Sequence, residues 1–439
     1  MRAPEDIIVA GGRIVDPGGP YSGPGDIILR EGRIAEVIPR PEGTQHHPAH
    51  RDTPRHHPAH RDVPQPRGTP RELPPRVRSQ QNQEVPHSNL RYVDARGLLV
   101  TPGLIDLHLH AYWGATPLGV RPADLDPACG STTIVDAGSA GAGNFAGFLE
   151  SVITGAPRRI LAFLNISFGG IFGFGRHVRV GEAGDPRLLD VDACAQVARQ
   201  YPEVIRGIKV RLGRHGSDGA LEPAVTAAVT AADACGLPLM AHMDAPPPTT
   251  SQIASRLRPG DIATHIYRPL PPGCPESANH AADDAADAAD ALARARERGV
   301  YLDVAHGEGS FSFNVARKML ARGLAPDTIS SDLHRFNLGG PVHSLTHTLS
   351  KFLALGLSLE DLVRAASCTP ARILQRGDLG GLTPGKKADL AFFTLDRGRF
   401  QWTDSVGETL ESDTRLKGQG RIQSTTTRGM VLGMRTSTS

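Results

Sequence analysis

From residue 98 onward, short apolar runs alternate with helical stretches, and that alternation leaves the chain very few folds. The runs cover 98–107, 131–136, 159–165, 204–210, 237–242, 261–266, 299–304 and 327–332. Each is bounded by turn residues and has the length of a buried strand. Helical patterns fill 144–154, 221–235 and 279–298 between them. The last places Asp283, Asp284, Asp287 and Asp290 early and Arg294, Arg296 and Arg298 late, with Gly299 as a stop. That order suits the helix dipole, so these charges need no functional reading. Eight such units predict an α/β fold, a (β/α)8 TIM barrel with its working residues at the C-terminal ends of the strands. Further helical stretches at 345–354 and 359–375 follow.

Both ends of the chain carry short β runs. Residues 6–38 hold several, with Glu31-Gly32 marking a hairpin, and 90–95 resumes the pattern. Residues 385–393 and 422–431 hold more, so a small β-sandwich domain built from both termini is expected. The expected division is 1–97 and 377–439 for that domain and 98–376 for the barrel. Residues 41–87 interrupt it with a tandem repeat, His46-His47-Pro48-Ala49-His50-Arg51-Asp52 and then His56-His57-Pro58-Ala59-His60-Arg61-Asp62. Such a Pro- and Arg-rich stretch cannot bury enough surface to order itself, and it reads as a disordered low-complexity insertion.

The formal charge is +2 over 439 residues, which points to neither nucleic acid nor a membrane surface as partner. The five cysteines, 129, 194, 235, 274 and 368, form no CxxC pair and suit a reducing, cytoplasmic compartment. The opening residues lead into a strand and not into a signal segment. A small-molecule partner fits this composition, with a homo-oligomer left open.

Pro102-Gly103-Leu104-Ile105-Asp106-Leu107-His108-Leu109-His110 is the most informative stretch. Residues two apart on a strand project to one side, so His108 and His110 point together and can grip a metal. His242 ends the fifth run, His265 the sixth and Asp332 the eighth, while Lys209 lies in the fourth. In a barrel all six converge on one mouth, enough ligands for two metal ions. Alone, Lys209 reads as a strand lysine snorkelling to solvent. Among these neighbours it reads as a buried amine that sheds its proton and takes up CO2, giving a carbamate able to bridge two metals. Arg211 shares the parity of Lys209, either to hold a substrate carboxylate or to close an ion pair inside the barrel. His306, after the seventh run, either polarises substrate or makes a structural hydrogen bond. Arg176 and His177, in a Gly-rich loop after the third run, are candidates for a lid, with Arg176 a further substrate contact.

These motifs resemble the binuclear amidohydrolase superfamily. Gly207-Ile208-Lys209-Val210-Arg211, Ala241-His242, Thr264-His265 and Ser331-Asp332 carry the resemblance beside the Pro102–His110 stretch, and 369–374 and 381–390 extend it. It covers the chain except 41–87, although 246–248 and 268–276 match no pattern of the family. Residues 207–211 and 306–313 are similar to its amidohydrolase/deacetylase branch, relatives of dihydroorotase, some of whose members hydrolyse acetylated α-hydroxy acids. The resemblance implies one metal on His108, His110 and Asp332 and another on His242 and His265, with carboxylated Lys209 and a water bridging them. Zinc is the default for such ligands. Two divalent ions acidify the water and clamp the carbonyl. Carbamate, Asp332 and hydroxide then leave the site near about +1, which suits a tetrahedral oxyanion. Asp332 is the expected catalytic acid–base. The expected reaction is hydrolysis of an acyl ester or amide on a small acetylated α-hydroxy or α-amino acid. The alternative is a cyclic-amide hydrolase of the dihydroorotase or hydantoinase type, or a D-aminoacylase. A dead scaffold homologue would have lost ligands, and a metal buffer acting through the His repeat would leave the barrel constellation unexplained.

Overall fold

The computed structural model describes residues 6–41, 90–175, 177–270, 283–425 and 429–434. The expected insertion, apart from Pro41, lies outside these residues, as do Cys274 and Arg176. The N-terminal apolar alternation forms β1 (Asp6–Ile14), β2 (Gly23–Arg30), β3 (Arg33–Pro39), β4 (Leu90–Asp94) and β5 (Leu99–Pro102). Glu31 and Gly32 both take positive φ, 49° and 72°, the backbone twist a two-residue hairpin requires.

Seven parallel strands follow: β6 (Leu104–Leu109), β7 (Ser131–Gly141), β8 (Arg159–Asn165), β9 (Ile205–Leu212), β10 (Leu239–Met243), β11 (Ile262–Thr264) and β12 (Tyr301–Asp303). They lie side by side in sequence order. The first apolar run, 98–107, is therefore two strands in two sheets. Gly103 is the crossing point, because a Cβ there would stand 2.3 Å from Thr132 Oγ1. The eighth run closes the barrel without becoming a regular strand. It bridges Asp303 at Thr328 and Leu109 at Leu333, and Asp332 N–H donates to His108 O at 2.7 Å. Its ladder is broken by side chains. Asp106 takes both the N–H and the hydroxyl of Ser331, at 2.9 and 2.5 Å.

The C-terminal strands are β13 (Leu390–Thr403), β14 (Thr409–Thr425) and β15 (Gly429–Met434). They join the N-terminal strands in the order β15-β14-β13-β5-β1-β2-β3, with β4 also paired to β1. The expected β-domain thus takes the form of one continuous mixed sheet drawn from both ends of the chain. Ile7, Ile27, Leu29, Phe392 and Ile422 bury together on it. Inside the barrel, Val135, Phe163, Met240 and Ile262 pack against Ile373, Leu374 and Leu379. One end of the barrel is thereby plugged with apolar side chains, and polar residues gather at the other.

The helices differ in detail from the sequence pattern. The stretch 144–154 is one α-helical turn, Phe145–Phe148, that widens into a π-helix over Leu149–Ile153. The stretch 221–235 begins its helix at Ala224 and stops at Gly236, whose φ is 64°. The stretch 359–375 splits into Leu359–Ala365 and Cys368–Ile373, since Pro370 has no N–H for the carbonyl of Ala366, which accepts from Ile105 N–H at 2.7 Å instead. Among the described residues, no helix is long and apolar enough to cross a membrane.

Candidate metal centre and its cavity

His108 and His110 leave the end of β6 and meet Asp332 from the eighth segment. Asp332 Oδ1 lies 3.5 Å from His108 Nε2 and 3.3 Å from His110 Nε2. Asp332 itself has φ 48°, His265 73° and Ala305 40°, three non-glycine residues in the left-handed region around one site. Backbone held there costs about 1–3 kcal/mol per residue and persists where the surroundings fix it. Burial pushes the Asp332 carboxyl up, but the neighbouring imidazoles outweigh it and hold the group well below the usual range.

Hydrogen bonds set the tautomers. The Thr264 hydroxyl donates to Asp303 Oδ2 at 2.7 Å, so it accepts from His108 Nδ1 at 3.1 Å. His265 Nδ1 donates to Ala305 O at 2.8 Å. Both rings therefore carry their proton on Nδ1 and turn a bare Nε2 lone pair toward the mouth. His110 Nδ1 meets Ser139 Oγ at 2.9 Å. Burial keeps His108 and His242 well below the ordinary imidazole value and lowers His265 to about 3. Neutral rings of this kind are metal ligands.

His242 is the penultimate residue of β10, and its ring centroid lies 4.2 Å from that of His265. The Nε2 atoms of both are buried without a hydrogen-bond partner among the described residues. Two orphaned ring nitrogens side by side are what a metal site requires, since an unsatisfied buried polar atom is costly unless an ion completes it. Lys209, on β9, is fully buried, with Nζ 3.3 Å from His108 Nε2. Burial lowers its ammonium to about 7, although the charge of Asp332 pulls the other way. Gly138 makes room for it: a Cβ there would stand 2.6 Å from Lys209 Cγ. The residues present fit a centre of one or two divalent cations.

The substrate candidates are sorted less evenly. Arg211 lines a cavity of about 240 Å³ with Lys209, His110, His242 and Asp332, but its guanidinium pairs with buried Glu182 at 2.9 Å. Its parity allowed an ion pair and a substrate contact; the structure shows the ion pair, with the side chain still lining the cavity. His306 does not line this cavity. Its Nε2 accepts from Lys351 Nζ at 2.8 Å, and its ring stacks on Phe311 with centroids 4.5 Å apart. That corrects its substrate-polarising candidacy, because the turn at Gly307 swings the ring into the core. Arg176 lies outside the described residues, and His177 is exposed.

Other residues enter the cavity without having been foreseen. Asp244 accepts from His215 Nδ1 at 2.8 Å and from Arg268 at 3.0 Å, and Arg268 also donates to Ser310 Oγ at 2.8 Å. His334 lines it as well, with burial lowering its pKa to about 4. Asp244, Arg268 and His334 each follow a predicted ligand by two or three residues. Positions just beyond a strand end are thus a signal worth reading.

The model of the amidohydrolase family matches residues 99–432. A deacetylase of Agrobacterium fabrum is 35% identical over 318 residues, 72% of this chain and 75% of that protein. A deacetylase of Brucella anthropi is 34% identical over 323 residues, 73% and 77% of the two chains. Among solved structures, a dihydroorotase superposes with a TM-score of 0.76 at 28% identity, covering 98% of both chains. A family match of that length, joined to relatives above 30% identity over most of both partners, makes this chain a member of the amidohydrolase family.

Proposed function

We propose that this protein is a metal-dependent deacetylase that cleaves an acyl ester or amide on a small α-hydroxy or α-amino acid. The observation that carries the reading is the pair of buried, unpartnered Nε2 atoms of His242 and His265 beside the His108–His110–Asp332 cluster. Likeness to two deacetylases at 34–35% identity supports the acyl chemistry. His108, His110 and Asp332 would hold one ion and His242 and His265 a second, zinc being the default for these ligands. Lys209 is the residue to join them as a carbamate: its neutral amine forms an N–C bond with CO2 and releases one proton. Divalent ions so held acidify water and polarise the acyl carbonyl. Asp332 accepts the proton that the attacking water gives up and delivers it to the leaving oxygen or nitrogen.

The cavity's lining leaves one guanidinium free for a substrate carboxylate, alongside one carboxylate, Glu308, that has no ion pair among the described residues. Glu182 neutralises Arg211 and Asp244 neutralises Arg268. Arg179, resting 5.1 Å over the Phe174 ring, has no carboxylate partner among the described residues. It is the guanidinium left to meet a substrate carboxylate, with Leu118, Ile171 and Phe174 as an apolar wall. The likeness to a dihydroorotase keeps cyclic-amide opening as the second reading.

Metal analysis and a substrate panel test the proposal. About two divalent ions per chain are expected, with an acetylated α-hydroxy acid or N-acetyl amino acid turned over fastest. Its methyl ester should lose about 1.5–3 kcal/mol of transition-state binding, a ten- to hundredfold drop in kcat/KM. Equal rates for acid and ester would remove the anion argument. Preferred opening of a cyclic imide would move the protein to the second reading.

A further inference from the structure

His334 differs from His108 and His265 in which nitrogen carries the proton. His108 and His265 donate from Nδ1 and present a bare Nε2. In His334 the order is reversed. Its Nδ1 accepts the backbone N–H of Phe336 at 3.2 Å, so the ring is neutral and its single proton sits on Nε2. That N–H meets no protein acceptor among the described residues, although the side chain lines the cavity and is only 5% exposed.

The ring is mounted rigidly and on the same turn as Asp332. Buried Asn337 accepts the backbone N–H of His334 at 2.9 Å and donates to Asp332 O at 2.8 Å. The His334 ring lies 6.5 Å from that of His110, centroid to centroid. A fixed donor therefore stands beside the His108–His110–Asp332 cluster with nothing among the described residues to donate to.

We infer that His334 is a further catalytic residue, donating its Nε2–H to the acyl oxygen of the substrate as negative charge develops there. The inference takes from the reading above only that the substrate carries an acyl carbonyl. A neutral imidazole is far too weak an acid to surrender this proton, so no bond to His334 forms or breaks. It acts as a preorganised hydrogen-bond donor whose effect grows as the carbonyl becomes tetrahedral.

His334→Phe and His334→Gln test this on whichever acetyl ester, N-acetyl amino acid or cyclic imide the wild type hydrolyses. His334→Phe should keep the wild-type metal content and KM and lose about 10²–10³ in kcat, the cost of one oxyanion donor. His334→Gln, whose amide nitrogen reaches the position of Nε2, should recover part of the loss. A thioacyl substrate, whose sulfur accepts hydrogen bonds poorly, should shrink the gap between wild type and His334→Phe. Unchanged kcat in His334→Phe would overturn the inference. So would a loss confined to KM and to substrates bearing a carboxylate, which would make His334 an anion reader. Histidine-selective ¹⁵N spectra, assigned by difference from His334→Gln, give a readout independent of turnover. A pyrrole-type Nδ1 would overturn the inference even if no panel substrate reacts, an outcome that would sink only the deacetylase reading.

Discussion

Lys209 shows how one side chain can be set by those around it. Its amine is buried, its charge is disfavoured, and its stem packs into the space that Gly138 leaves by having no Cβ. Lys209→Ala should lose bound metal and nearly all turnover, with millimolar short carboxylic acids restoring a fraction; wild-type kcat in that variant would make the lysine structural. Gly138→Ala places a Cβ 2.6 Å from Lys209 Cγ at a φ of 86°, so it should lower metal content and Tm together. A variant with unchanged metal stoichiometry by elemental analysis would show that Lys209 tolerates displacement. At this scale the gathering of His108, His110, Lys209, His242, His265 and Asp332 at one mouth was legible because each sits at or near the end of an apolar run. The pairing of Arg211 was not legible. Its partner Glu182 lies 29 positions away, in a loop with no periodic signal of its own. His306 kept two roles for a related reason: its place after a strand allowed both, and the turn at Gly307 decides where the ring points, toward the structural hydrogen bond.

Among elements, the eighth barrel segment and the β13–β14 hairpin share the work of shaping the mouth. The hairpin's tip reaches the loop after β12. Asp404 caps the helix Phe313–Ala321 through Phe313 N–H at 2.9 Å, and Ser405 N–H donates to Phe311 O at 3.1 Å. Asp404 also accepts from Val406 and Glu408 within its own turn. Asp404→Ala should therefore cost about 1–3 kcal/mol, read as a lower urea midpoint, because it orphans several donors at once. A change within ±0.5 kcal/mol would show that water replaces the carboxylate. The seven regular strands were legible from their apolar runs, and the eighth was found in place but not in form. Side-chain acceptors such as Asp106 substitute for its ladder bonds, and no propensity records that. The division of the first run at Gly103 was likewise hidden, since both halves are equally apolar.

At the level of the whole molecule, buried neutral imidazoles couple stability to pH. Burial is the leading cause that lowers His108, His242, His265, His306, His334 and His347, with His265 and His347 brought to about 3. The unfolded chain binds protons on these rings near pH 6.5, and the folded chain does not. Stability is therefore full above pH 6.5 and falls as pH drops toward the folded values, by up to about 1.4 kcal/mol per ring and pH unit. Chelator-treated protein should show a steep loss of Tm between pH 7 and 5; a flat Tm would contradict neutral, buried rings. Excising 41–87 tests the other whole-chain expectation, that Tm and kcat survive without it. Pro39 pairs at the level of Gly25 and Gly12, whereas Leu90 pairs at Asp6 on the far side of β1. Those ends are roughly 25 Å apart by strand spacing, and Arg40, Ser88 and Asn89 remain to span part of that gap, so the replacement linker needs about four residues or more. A shorter splice that folds equally well would contradict this register. The sheet that joins both ends of the chain also has a consequence in time. β5 pairs with β13, so Pro102 waits for Leu390 to be synthesised. At about 5–20 residues per second, that wait is roughly 15–60 s. By its end the ribosome holds a chain whose barrel strands have all emerged while the edge of β5 is still bare.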